Sequence, residues 1–348
     1  MFALTDALAR GYRLQRASMA QSHFDKGRDL AREGRNDQAI DEYRRALAFN
    51  PADRGYRLSL AEALFETGHM NEAIAHLAEL HEEDPTDGDV SLWLARIHAR
   101  QGNSAEAIIW YHRAIYGYWR DDPARHRIDA RWELINYLAQ HGDRQRLIAE
   151  LLELYGEAPD DARLRLKIGR MLLDHGAVEN AKEVFQETAN SNPRFIDAWS
   201  ALADAEMANR EYAAAREALR RAWRLNPRDS TIWRRIETVN DILALDPQLS
   251  TLSANERFHR SHELLSRALS SVQDCAQSAN KTLSDADQAE IASAATLLKA
   301  KRNAAREGLT PKMIAAAMSV WRVRGQVCGS TSADPALSAV LSTMEKQQ

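Results

Sequence analysis

The run HRSHE places two histidines and a carboxylate within five residues, at His259, His262 and Glu263. Spacings of three and four residues present side chains on one helix face, where they can share a metal ion. The orders of His and Glu used by helical zinc hydrolases do not match this run. It therefore reads as a solvated polar face, and no metal is expected. The two cysteines, Cys275 and Cys328, are the other reactive pair. With no third ligand near either, they do not make a zinc site. No glycine-rich phosphate loop and no Gly-x-Ser-x-Gly turn occurs, and glycine is scarce at 15 residues. Catalytic residues and cofactors are accordingly expected to be absent.

Composition narrows the function classes further. The chain has 348 residues, 46 Lys and Arg against 50 Asp and Glu, and a formal net charge of −4. A nearly balanced chain has no global attraction to nucleic acid or anionic lipid. Only eight of the bases are lysines. An arginine-rich phosphate site would need those arginines gathered on one face. No run of about 20 apolar residues occurs, so no membrane span is expected.

The elements that position everything else repeat at a fixed interval. Pro51 and Pro85 are 34 residues apart, and Pro159, Pro193 and Pro227 keep the same step. Ala39, Ala73 and Ala107 form a second column, continued by Ala181 and Ala215. Gly34, Gly68 and Gly102 form a third, and Gly142 and Gly176 continue it after a slip. Fixed-period self-similarity marks a repeat array. Each glycine sits between two helical runs, where a chain leaving a helix needs a left-handed residue. Each alanine lies early in a second helix, where a small side chain lets two helices approach. Tyr43, Leu77, Tyr111, Leu151, Phe185 and Leu219 lie one turn further on the same face. Proline ends the second helix, having no N–H and disfavouring helix before it. One unit is thus helix, glycine turn, helix, proline turn.

This pattern resembles the tetratricopeptide repeat. Gly27, Ala39, Tyr43, Ala46 and Pro51 match its motif in the first unit; Gly169, Ala181, Phe185 and Pro193 in the fifth; Trp199, Leu202, Ala215, Ala222 and Pro227 in the sixth. The second unit has Ala61 in the glycine column. The third keeps Ala95, Ala107, Tyr111 and Ala114 but lacks a proline on time, because IYGYWRDDP delays it to Pro123. The fourth is the most divergent, with Ile135, Leu147, Leu151 and Leu154 in the motif columns. The resemblance implies an all-α protein, a right-handed superhelix of six helix–turn–helix units at about 20–53, 54–87, 88–127, 128–161, 162–195 and 196–229. A leader helix over 1–19 precedes them. The delayed proline predicts a third second-helix about one turn longer, with Tyr116, Tyr118 and Trp119 near the junction.

Residues 228–246 read as a capping helix, with Ile232, Ile236, Val239, Ile242 and Leu243 at helical spacing. From Pro247 the period is lost, and 247–348 reads as a helical bundle. Ser253 with Glu256, and Ser284 with Asp287, have capping-box spacing. Thr310 precedes Pro311, read as a first helical position. GSTSAD is a loop, and a last short helix starts at Pro335. Repeats followed by such a bundle are similar to bacterial tetratricopeptide proteins in which an amino-terminal anchor often precedes the repeats. In an antiparallel three-helix bundle Cys275 and Cys328 close the first and third helices, at the same end. A disulfide then needs α-carbons within about 7 Å; two reduced thiols are the alternative.

In tetratricopeptide arrays the first helices line a concave groove. By that register its residues include Phe24, Arg28, Phe65, Trp93, Arg96, Arg100, Trp132, Asn136 and Arg170. The Lys and Asn with which chaperone adaptors hold a carboxylate are replaced by Phe24 and Arg28 in the first unit and by Leu58 and Glu62 in the second. The resemblance implies non-enzymatic binding of a protein or peptide segment; Arg96, Arg100 and Arg170 favour an acidic segment with apolar anchors, and the balanced charge leads to no expected nucleic-acid partner. The alternative expectation is an envelope assembly factor held by an anchor outside this sequence, with the repeats on the export side. Localisation is cytoplasmic by default, or membrane-associated and facing the periplasm in that alternative.

Overall fold

A computed structural model describes residues 2–157, 161–278, 283–299, 308–329 and 334–345. Among them every regular element is an α-helix, and the sole extended pairing is an isolated bridge between Asp87 and Tyr118. The chain divides into two compact units, Met1–Ala158 and Pro159–Gln348.

The first unit holds α1 (Phe2–Arg32), α2 (Asn36–Phe49), α3 (Arg54–Glu66), α4 (Met70–Glu83), α5 (Gly88–Arg100), α6 (Ser104–Ile115), α7 (Pro123–Gln140) and α8 (Arg144–Glu157). The leader and the first helix of the first repeat are one continuous helix, α1. Each pair is closed by a glycine with positive φ: Gly34 at 75°, Gly68 at 85°, Gly102 at 79° and Gly142 at 73°. These are the left-handed turn positions that only glycine adopts without strain. The column residues meet as their sizes require. Ala39, Ala73 and Ala107 are fully buried. A β-carbon on Gly27 would come within 2.6 Å of the Tyr43 ring, so the ring fills the space that glycine leaves.

Aspartate opens most of the first helices. Asp53, Asp87 and Asp122 accept backbone N–H groups of Tyr56, Val90 and Arg125. In the second unit Asp161 and Asp229 do the same for Leu164 and Ile232. Such a cap satisfies donors that the helix start leaves open.

The delayed proline does not lengthen α6. That helix ends at Ile115, and residues 116–122 form a loop folded back on the start of α5. The Tyr118 N–H donates to the Thr86 carbonyl, and the Gly88 N–H donates to the Tyr118 carbonyl, both closer than 2.9 Å. Trp119 is buried, its indole donating to the Ala114 carbonyl at 2.9 Å and stacking on His126. Pro123 does not close the third unit; it opens α7, which is 18 residues long. The extra turn therefore falls on the first helix of the fourth repeat. The reason is Trp119: burying an indole favours the looped chain over continued helix. Of the three aromatics only Trp119 is inside; Tyr116 and Tyr118 are exposed.

The second unit holds α9 (Ala162–Asp174), α10 (Val178–Ser191), α11 (Ile196–Ala208), α12 (Tyr212–Leu225), α13 (Ser230–Leu245), α14 (Ala254–Ser278), α15 (Asp285–Leu297), α16 (Leu309–Cys328) and α17 (Pro335–Glu345). Gly169 meets Phe185 as Gly27 meets Tyr43. Ile232, Ile236, Val239, Ile242 and Leu245 of α13 are buried, and this helix packs against α12, α14 and α17. Ser253 and Ser284 cap α14 and α15 through Glu256 and Asp287 N–H groups. Helix α16 begins at Leu309, two residues before Pro311, behind Gly308 in a left-handed conformation. Pro159, and residues 330–333 of the GSTSAD loop, lie outside the described residues.

Candidate functional site

Four side chains on the first helices of the second and third repeats form a ladder. Phe65 of α3 meets Trp93 of α5 edge to face, with centroids 5.5 Å apart. The Arg96 guanidinium lies 4.5 Å over the Trp93 ring, and Arg100 lies 4.8 Å over Phe65. Both rings are half-buried against the core of the first unit. The spacing causes the contact: residues three and four apart on α5 share a face, and α5 lies beside α3. Cations over aromatic faces gain most where solvent is partly excluded.

The two arginines are not equivalent. Arg96 makes a two-pronged ion pair with Glu133 of α7, at 2.9 and 2.5 Å. Burial opposes the Arg96 cation, but Glu133 outweighs it and raises its pKa. Arg100 is exposed and donates to the Phe65 carbonyl at 3.3 Å. Beside them Tyr111 is pushed up to about 12 by burial and by Glu133. Glu62 is also raised, by loss of solvent and by Glu66, against the pull of Arg96. Toward the amino terminus Phe24 contacts Tyr43 and Tyr56, and Arg28 lies over Phe24 while pairing with Asp25 at 2.8 Å. Arg28, Arg32, Glu62 and Glu66 line a cleft of about 550 Å³ beside Tyr43.

The structure thus brings Phe65, Trp93, Arg96 and Arg100 together and keeps Phe24 and Arg28 in a neighbouring group. Trp132 is half-buried and Asn136 exposed, both on α7. Arg170 belongs to the second unit, where it lies near Asp204. The 34-residue period also carries charge. Arg28, Glu62 and Arg96 are each 34 apart, and so are Arg170 and Asp204. Charges of alternating sign therefore occupy this column on successive first helices, which makes it mixed rather than an arginine cluster, and its arginines pair outside it, Arg28 with Asp25 and Arg96 with Glu133. Glu133, the partner that fixes Arg96, lies outside the motif register, so the repeat pattern does not single it out.

The other candidate groups are in structural use. His262 contacts the Leu298 carbonyl at 3.1 Å, and Glu263 accepts from Arg267 at 2.9 Å. Among the described residues no cluster of three His, Cys, Asp or Glu could hold a metal. Cys275 and Cys328 close α14 and α16 at one end, α-carbons 6.3 Å apart, and their sulfurs are bonded. Among the described residues no helix is long and apolar enough to cross a membrane.

The repeat geometry has its counterpart in known families. Residues 24–88, and separately 66–116 and 172–236, match the tetratricopeptide repeat family. The chain carries tetratricopeptide repeats over these stretches, and such repeats support a protein–protein interaction scaffold in general. No curated protein matches the chain. Among solved structures it is similar to YrrB, described as having an unusual peptide-binding site, at 16% identity and a TM-score of 0.38 over 56% of this chain and 97% of that one. It is also similar to PilW, described as a type IV pilus biogenesis factor, at 15% identity and a TM-score of 0.38 over 62% and 98%. A third is pilF of Pseudomonas aeruginosa, at 19% identity and a TM-score of 0.31 over 55% and 82%.

Proposed function

We propose that the chain is a non-enzymatic scaffold whose first unit holds a segment of a protein partner across α3, α5 and α7. The observation that carries this reading is the ladder of Phe65, Trp93, Arg96 and Arg100, in which two aromatic rings and the two cations over them are already ordered. Preordered aromatic and arginine side chains bind at low entropic cost and are the usual hot spots of interfaces. Apolar side chains of the partner lie against Phe65 and Trp93, and a carboxylate of the partner meets Arg100. Arg96, held by Glu133, keeps the Trp93 ring in place. The test is recovery of partners by the full chain and by three variants. Trp93→Ala should cut recovery most, Arg100→Glu should cut it and flatten its salt dependence, and Arg96→Lys should act more weakly. Unchanged recovery with Trp93→Ala and Arg100→Glu together ends the reading.

The Cys275–Cys328 pair favours a second reading, in which the scaffold works in an oxidising compartment as an envelope assembly factor. Structural disulfides persist outside a reducing cytosol. Thiol counting on protein isolated from its native cell under alkylation distinguishes the two; two free thiols remove the second.

A further inference from the structure

In the second unit one column of the repeat changes character. Leu30, Leu64, His98, Leu138 and Leu172 occupy equivalent positions on five first helices, and Glu206 occupies the sixth. The leucines are buried. Glu206 is buried too, at 7% exposure, and its Oε2 has no hydrogen-bond partner. It lines a pocket of about 340 Å³ with Lys182, Glu183, Gln186 and Glu187 of α10 and with Glu211 at the start of α12. Lys182 is already engaged, donating to Glu211 at 2.8 Å and pairing with Glu179 at 2.9 Å. Asn209 donates to the same two glutamates. A buried carboxyl with an unpartnered oxygen thus lines a carboxylate-rich pocket whose own cation is committed elsewhere.

We propose that this pocket takes the cationic head of a lysine or arginine side chain from a protein partner, with Glu206 as its counter-ion. A buried carboxylate is costly unless it is paired. The volume suits one side chain rather than a helix. The site lies on α10, α11 and α12 and is independent of the α3–α5 ladder, so either can fail alone. The groups facing Glu206 set its proton: burial and Glu211 push its pKa up to about 7, while Lys182 and Arg221 pull the other way. Binding of a cation favours the ionised form, so it releases a proton near neutrality and weakens as pH falls.

Titration of the full chain with N-acetyl-arginine amide, N-acetyl-lysine amide and the neutral N-acetyl-citrulline amide tests this. One of the two cations should saturate the site at pH 8, about tenfold more tightly than citrulline, and lose affinity at pH 6. Glu206→Leu installs the residue of the equivalent columns, and Glu206→Gln keeps the shape; each should reduce affinity at least tenfold while the fold is retained. Equal binding of citrulline, no saturation by either cation, or undiminished binding by the Gln variant overturns the proposal. A spermidine arm tests the source: if free polyamine binds about tenfold more tightly than both amides, the pocket is a small-molecule site and the assignment to a partner side chain falls.

Discussion

The indole of Trp119 lies on the α-carbon of Gly88, so close that a β-carbon built there would come within 2.5 Å of the ring. The contact joins an insertion to the start of α5, beside the Asp87 cap that also accepts both prongs of Arg54 at 2.6 and 2.8 Å. Gly88→Ala should displace the ring and cost ~1–3 kcal/mol, as overpacking does. Urea unfolding followed by tryptophan fluorescence reads both effects. A loss within error, with an unchanged emission maximum, would show that the loop yields freely.

Arg210 stands in the sixth turn where the first five have glycine, and its φ is 65°. A side chain in the left-handed region costs about 1 kcal/mol. Arg210→Gly should therefore stabilise the second unit by about that amount, and Arg210→Ala should not. Thermal melts of the two variants beside the parent decide it.

Glu206 makes the second unit pH-dependent. Its folded pKa, about 7, lies above the ordinary 4.5, so the unfolded state is the one that ionises more readily. The neutral form costs nothing extra below 4.5; stability then declines as pH rises toward 7 and stays reduced above it. Glu206→Leu should accordingly stabilise more at pH 8 than at pH 5, by on the order of 2 kcal/mol. Equal gains at both pH values would mean that the carboxyl ionises in the fold as easily as in water.

Reduction should loosen the carboxy-terminal helices. The bond from Cys275 to Cys328 spans 53 residues of sequence. Closing a loop of that length stabilises by about 4 kcal/mol in the chain-entropy treatment. Hydrogen exchange with and without reductant should show lost protection in α14 and α16, and none in α1 to α8. Uniform exchange would show that the bond contributes little to folding.

Helix periodicity, the turn glycines and the alternating Ala and aromatic columns are local in origin, because they follow from allowed φ values and from which side chains share a face. That is why the all-α repeat was legible: Gly34 and Gly68 turn where they must, and Ala39 is fully buried where a small side chain was expected. Where IYGYWRDDP goes was not local. Trp119 finds its buried seat only when Gly88 of another helix is beside it. The charges are the same case. Arg96 reads as a free cation until Glu133 arrives from α7, and Glu206 reads as one more surface glutamate until α10 and α12 close around it. Sequence determined the period and the faces. Tertiary packing decided which charges on those faces are paired, and at Glu206 it left one buried without a partner.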